Sequence, residues 1–183
     1  MNPVLLAFWF FAPAGLANAA PVFANKMLGY NRWKTPLDFG LSWRGKRLFG
    51  DNKTFRGLVA GIVLATLAIA LQKYLFSHSG WIQEISLIDY SQPAVWLLGP
   101  LFGTGALLGD AIESFFKRQV GVPAGQSWFP FDQIDYIIGG LLLSLPIVRL
   151  PALYYPWILV VWFGMHLIVS YIGYLLHLKD RPI

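Results

Sequence analysis

The stretch PAVWLLGPLFGTGALLGDAIESFFKRQVGVPAGQSWFPFDQIDYIIGGLLLSLPIV, residues 93–148, decides the fold. Two apolar runs, Pro93–Phe116 and Phe129–Val148, flank the short polar connection Lys117–Trp128. Each run is close to the roughly 20 residues that cross a bilayer as a helix. Backbone groups in lipid must pair internally, so helices are expected, and the period-2 alternation of a membrane barrel is absent. Four carboxylates stand in or against these runs: Asp110 with Glu113, and Asp132 with Asp135. The spacing of three puts each pair on one helix face about one turn apart. A short connection makes the two helices antiparallel neighbours. Both acidic pairs then sit near the same membrane boundary and converge.

Three further runs extend the pattern outward: Pro3–Ala24, Leu58–Phe76 and Pro156–Leu176. The expected fold is an all-α integral membrane protein with five transmembrane helices. Composition agrees, with 56% of the 183 residues hydrophobic and 13% charged, against about 45–50% and 25% in soluble domains. Disorder and an ordinary soluble globule are excluded. The absence of cysteine excludes a disulfide scaffold, a thiolate metal site and a cysteine nucleophile. Ala17-Asn18-Ala19 resembles a signal cleavage site, but no Lys or Arg precedes the first apolar run. The segment is therefore expected to stay as helix one.

Basic residues set the expected orientation. One side holds Lys26, Arg32, Lys34, Arg44, Lys46, Arg47, Lys53, Arg56, Lys117, Arg118, Lys179 and Arg181, and the other only Lys73 and Arg149. Positive loops stay inside, which puts the N-terminus outside and the C-terminus in the cytoplasm. The chain is expected to be one polytopic membrane domain, 1–183, with a cytoplasmic basic loop 25–57 and a cytoplasmic loop 117–128. A net charge of +5 in so apolar a chain points to a bilayer and not to nucleic acid.

A charged carboxylate deep in a membrane helix costs about 2.5–3.5 kcal/mol, and four together repel one another. A hard cation solves both problems, and oxygen ligands select Mg²⁺ or a similar ion. Salt bridges to Lys117, Arg118 or the loop basics are the metal-free alternative. The Lys26–Arg56 loop packs eight basic residues against Asp38 and Asp51. Attraction to anionic headgroups accounts for part of that charge, at about 1 kcal/mol per residue. Yet Trp33, Phe39, Trp43, Phe49 and Phe55, with Gly45, Gly50 and Gly57, point to an ordered structure entering the second helix. Lys and Arg beside a carboxylate-held metal are suited to a polyphosphate.

Other signals carry less. Gly103-Thr104-Gly105 with Gly109 mimics a dinucleotide fingerprint but lies inside an apolar helix. There, small residues serve close helix packing or backbone approach to a ligand. His166, in mid-span, reads as an interhelical hydrogen-bond partner. No Gly-x-Ser-x-Gly, His-Glu-x-x-His or Walker A pattern is present.

Three regions together resemble the CDP-archaeol synthases, the archaeal branch of the lipid cytidylyltransferases. They are Gly50-Asp51-Asn52-Lys53-Thr54-Phe55-Arg56-Gly57, then Gly109-Asp110 through Ser114-Phe115-Phe116-Lys117-Arg118, then Asp132-Gln133-Ile134-Asp135. The resemblance covers nearly the whole chain. It implies transfer of a cytidylyl group from CTP to an isoprenoid ether lipid phosphate, unsaturated archaetidic acid, with release of pyrophosphate and a need for Mg²⁺. The larger bacterial CDP-diacylglycerol synthases share Ser-x-x-Lys-Arg, but their Asp-Arg-x-Asp has Gln133 here and their following His-Gly-Gly is missing.

A lipid phosphate is largely ionised near neutral pH, since its second pKa lies near 6. No general base is then required, and the work is positioning and charge neutralisation at the α-phosphorus. Asp110, Glu113, Asp132 and Asp135 are the expected metal cluster, as direct ligands or as groups behind them. Asp110, Asp132, Asp135, Lys117 and Arg118 are the expected catalytic set. Asp51, Lys53, Thr54, Arg56, Lys26, Lys46 and Ser114 are expected to bind nucleotide or phosphate. Asp51 either orients the basic loop or joins the metal site. A site at the cytoplasmic boundary of a multi-pass cell-membrane protein reaches both CTP and the lipid headgroup. The rival function is a small cation transporter or channel, which predicts acids spread through the membrane depth.

Overall fold

A computed structural model describes residues 2–27, 33–123 and 125–177, without the side chains of 25–27. The elements are α1 (Pro3–Met27), a hairpin of β1 (Ser42–Trp43) and β2 (Lys46–Arg47), α2 (Phe55–His78), α3 (Gly80–Glu84), a 3₁₀ stretch Pro93–Leu97, α4 (Leu98–Val120), α5 (Phe131–Ser144) and α6 (Tyr154–Leu175). The protein is helical and built for a membrane. Among the described residues four helices are long and apolar enough to cross one: Pro3–Ala24, Phe55–His78, Pro93–Val120 and Tyr154–Leu175.

The run expected as a span over Phe129–Val148 differs. Its helix, α5, has 14 residues, about 21 Å at 1.5 Å per residue, against a hydrocarbon layer of about 30 Å. Prolines bound it. Pro130 precedes its first residue, and Pro146 disfavours helical backbone at the residue before it.

Glycines set how closely the helices pack. A Cβ on Gly105 would lie 2.5 Å from the Gly139 carbonyl oxygen, and one on Gly109 2.3 Å from that of Asp135. α4 and α5 therefore touch backbone to backbone, antiparallel. On the other flank of α4, Gly99 and Gly103 meet the backbone of Thr66 and Ile62 on α2. α4 is thus held between α2 and α5.

α1 covers this layer. Phe10 and Phe11 each meet Phe102 edge-on with centroids 5.4 Å apart. Trp162 donates its indole N–H to the Ala7 carbonyl at 3.2 Å, and Tyr136 donates its hydroxyl to the Trp162 carbonyl at 2.9 Å. Buried, oriented aromatics of this kind add to the packing through ring geometry, and here they tie α1, α5 and α6 at one level. The small residues expected to serve packing or a ligand do pack helix to helix, and Gly105 and Gly109 also line the groove beside the seam. His166 lies 5.7 Å from the Tyr136 ring.

Candidate active site

The site forms where α4, α5 and the loop before α2 meet. Asp110 and Glu113 come from one face of α4. Asp135 comes from α5, drawn in by the glycine contact at its own backbone. Ligand oxygens of these three carboxylates lie within 4.8 Å of one another. The spacing of three on α4 and the antiparallel seam produce that convergence.

Lys53 reaches the same place from the loop, its ammonium 2.6 and 2.7 Å from the two oxygens of Asp110. Burial works against the charge on Lys53, but Asp110, with Asp135 and Glu113 beyond it, holds its pKa above the ordinary lysine value. The loop is built to put it there. The Leu37 N–H donates to the Lys53 carbonyl at 2.7 Å, and the Phe55 N–H to the Thr35 carbonyl at 3.1 Å. Thr54 caps α2, its hydroxyl accepting the Gly57 N–H at 3.1 Å.

Asp38 organises the rest of that loop. Its buried carboxylate accepts the N–H groups of Gly40, Phe49 and Gly50 at 3.0, 3.0 and 3.1 Å and the Arg47 guanidinium at 2.8 Å. Burial alone would raise its pKa, but Arg47 and the three backbone donors outweigh it and hold the carboxyl well below the usual range. Arg44 and Gly45 both have positive φ, as the two-residue turn between β1 and β2 requires. Lys46 then donates to the Gln119 carbonyl at 2.6 Å, pinning the hairpin to the end of α4.

The expected residues thus divide. Asp110, Glu113, Asp135 and Lys53 come together. Asp132 stands beside them with both oxygens engaged: Lys117 at 2.7 Å and the Trp128 N–H at 2.7 Å. Lys117 also lies 3.8 Å from Glu113. The metal-free salt bridging expected as an alternative is therefore present at Asp132, while three carboxylates remain grouped. Arg56 and Ser114 are buried and Arg118 half-buried. Asp51 is exposed and pairs with Arg47 at 2.8 Å, within the basic loop and outside the carboxylate group. The Lys26 side chain, like Arg32, Lys179 and Arg181, lies outside the described residues.

Two residues hold positions to which the sequence reading gave no role. Asp38 bears an Asx-turn signature, Asp-x-Gly with the Gly N–H bonded back to the side chain, which marks it in sequence. Gln133 is 2% exposed and its amide oxygen has no protein partner. Nothing in its pattern distinguishes it beyond its place between two acids.

A cavity of about 510 Å³ opens along the α4–α5 seam. Among the described residues Glu113 and Asp135 are its only charged lining, and the remaining wall is apolar, with Leu108, Ile112, Phe116, Ile138 and Leu142 among its side chains. A polar centre at the edge of an apolar groove, inside a helical membrane bundle, is the form of an intramembrane enzyme acting on an amphiphile.

Comparison with known proteins agrees. The family model described as "CarS-like: CDP-archaeol synthase" matches residues 1–183, and the chain belongs to that family. The CDP-archaeol synthase of Pyrococcus abyssi is 36% identical over 183 residues, covering 100% of this chain and 99% of that one. That of Methanospirillum hungatei is 39% identical over 155 residues, covering 80% of this chain and 89% of that one. A solved structure described as an intramembrane enzyme for archaeal membrane lipids biosynthesis superposes with a TM-score of 0.70 at 27% identity, covering 90% of this chain and 92% of the other. The chain is a multi-pass membrane nucleotidyltransferase.

Proposed function

We propose that the chain transfers the cytidylyl group of CTP to 2,3-bis-(O-geranylgeranyl)-sn-glycerol 1-phosphate, giving CDP-archaeol and pyrophosphate, with Mg²⁺ held by Asp110, Glu113 and Asp135. The observation that carries the reading is the grouping of three carboxylates within 4.8 Å at the end of an apolar groove. The donor set fits the ion: all-oxygen, anionic and compact, as Mg²⁺ prefers. The described ion pairs set only Lys53 and Lys117 against these three acids and Asp132, so negative charge is left for a cation. Bound there, the ion supplies charge neutralisation on the phosphate oxygens.

The chain's own groups do the rest. An oxygen of the lipid phosphate attacks the α-phosphorus of CTP, and the bond to the β-phosphate oxygen breaks, releasing pyrophosphate. Lys53, Arg56, Lys117 and Arg118 neutralise the phosphates. Asp132 fixes Lys117, and Thr54, Lys46 and Asp51 hold the loop that delivers Lys53. Lys26 and Ser114 complete the proposed nucleotide side. The isoprenoid chains occupy the α4–α5 groove, which accounts for its apolar wall beside two carboxylates.

On this reading the chain spans the membrane five times, with the N-terminus outside and the C-terminus and active site at the cytoplasmic face. Support comes from the antiparallel sequence of α1–α2, α2–α4 and α4–α5 contacts and from the basic loop beside the site. The test is pyrophosphate release by purified protein in detergent with CTP, Mg²⁺ and the geranylgeranylated glycerol phosphate. Release should need both substrates, stop with EDTA, return with Mg²⁺, and be lost in Asp135→Asn. Release without the lipid, or undiminished in EDTA, overturns the proposal.

A further inference from the structure

The hairpin loop carries more apolar surface than its role of delivering Lys53 explains. Trp33, Phe39, Leu41 and Trp43 are 57%, 69%, 60% and 54% exposed. Soluble surfaces rarely gather large apolar side chains so densely in one short loop, and exposed apolar residues grouped in this way mark a docking face. The same stretch holds Lys34, Arg44, Lys46 and Arg47 against the single acid Asp38, whose charge Arg47 already answers at 2.8 Å.

The patch is also fixed in place. Asp38 binds the loop into one unit through four donors, and Lys46 fastens it to the carbonyl of Gln119 at the end of α4. The segment leading into the loop is tied to the start of α2 by the Phe55 N–H, which donates to the Thr35 carbonyl at 3.1 Å. α2 and α4 both belong to membrane spans. The patch therefore projects from the level at which those spans leave the hydrocarbon. Aromatic side chains flanked by cations are the composition that settles at that level.

We propose that residues 33–47 form an interfacial foot. Leu41, Trp43, Phe39 and Trp33 insert at the boundary between headgroups and acyl chains, and Lys34 and Arg44 lie among anionic lipid headgroups. The occupant is the bilayer surface, chosen over a protein partner by two features: the excess of positive charge and continuity with the membrane-embedded helices. Arg44 lies 6.0 Å from the centre of the Trp43 ring, so cation and aromatic occupy one contact. Because the same loop carries Lys53, the foot fixes the height of that phosphate-binding lysine relative to the headgroup plane. The foot rests on the membrane placement of the spans and not on the reaction.

The chain has no cysteine, so a single introduced one carries the only thiol label. Leu41→Cys and Trp43→Cys, each bearing an environment-sensitive fluorophore, are compared with Asn52→Cys in vesicles containing anionic phospholipid. The two foot labels should emit to the blue of the Asn52 label. They should be quenched by a nitroxide high on the acyl chain, and be shielded from aqueous iodide. Foot labels as open to iodide as the Asn52 label overturn the proposal. So does shielding without lipid quenching, the mark of a protein cover, or shielding that vanishes when the protein is diluted among excess lipid, the mark of a second copy. The readout is independent of turnover, so failure of the cytidylyltransferase reading would leave it intact.

Discussion

Gly109 is the position where a single methyl group should reach the chemistry. In Gly109→Ala the new Cβ falls 2.3 Å from the Asp135 carbonyl oxygen, where ordinary contact begins at 3.4 Å. The obstacle is helix backbone, so no side chain can rotate away. α5 must move from α4 by about 1 Å, a scale of misplacement that costs on the order of 10²-fold in rate at a tuned site. That loss corresponds to about 2.7 kcal/mol of transition-state stabilisation. Asp135 travels with its backbone, away from Asp110 and Glu113, so the Mg²⁺ concentration giving half-maximal rate should rise. Overpacking itself costs about 1–3 kcal/mol of stability, which a rate measurement alone does not separate. Gly99→Ala supplies the comparison: its Cβ lies 2.6 Å from the Thr66 Cα, a similar clash on the α2 side of α4, away from the carboxylates. Both variants should melt lower in detergent, and only Gly109→Ala should lose activity by about two decades with a shifted Mg²⁺ requirement. Wild-type turnover and Mg²⁺ dependence in folded Gly109→Ala would refute the link between the seam and the site.

Asp38→Asn should loosen the basic loop, since charge-assisted hydrogen bonds contribute about 1.5–3 kcal/mol each and only part survives in the amide. The folded-state pKa of Asp38 is depressed, so its stabilisation is present above the unfolded value near 4 and fades as pH falls through the folded one. The melting difference between wild type and Asp38→Asn should accordingly be full at pH 7 and shrink below about pH 4. Lys117→Met strands Asp132 and Glu113 and should destabilise by about 3 kcal/mol. Pairing it with Asp132→Asn should recover part of that loss, and additive melting shifts would show that the two do not interact. Leu142→Trp narrows the far end of the groove and should raise the KM for lipid phosphate severalfold while leaving the KM for CTP unchanged. Equal changes in both would remove the lipid from that groove.

Local pattern gave the long helices and both acidic pairs, because hydropathy and a three-residue spacing report on single helices. The convergence of Asp110, Glu113 and Asp135 was legible too, since a short connection forces α4 and α5 together. Ion pairing was harder. Lys53 and Asp110 are 57 residues apart, and nothing local says which of eight loop basics turns inward. The claim of Lys117 on Asp132 competes with metal binding, and composition does not decide that competition. The extent of α5 was misjudged because hydropathy continues through Pro146 while helical backbone does not. Asp-x-Gly marks Asp38 in sequence only as a local turn, whereas its burial and four donor residues make it the centre of the loop.

The shortness of α5 has a consequence for the lipid around it. On the five-span arrangement, a helix of about 21 Å faces a hydrocarbon layer about 30 Å thick. Hydrophobic mismatch of that size is relieved by thinning the bilayer at modest cost per ångström. α5 also forms one wall of the groove, so the thinned annulus lies at its mouth. Lipids arriving there are already lowered toward the depth of Asp135. Membrane thickness then becomes a variable of the enzyme: thicker bilayers should slow it by raising headgroups away from the carboxylates, with no residue changed.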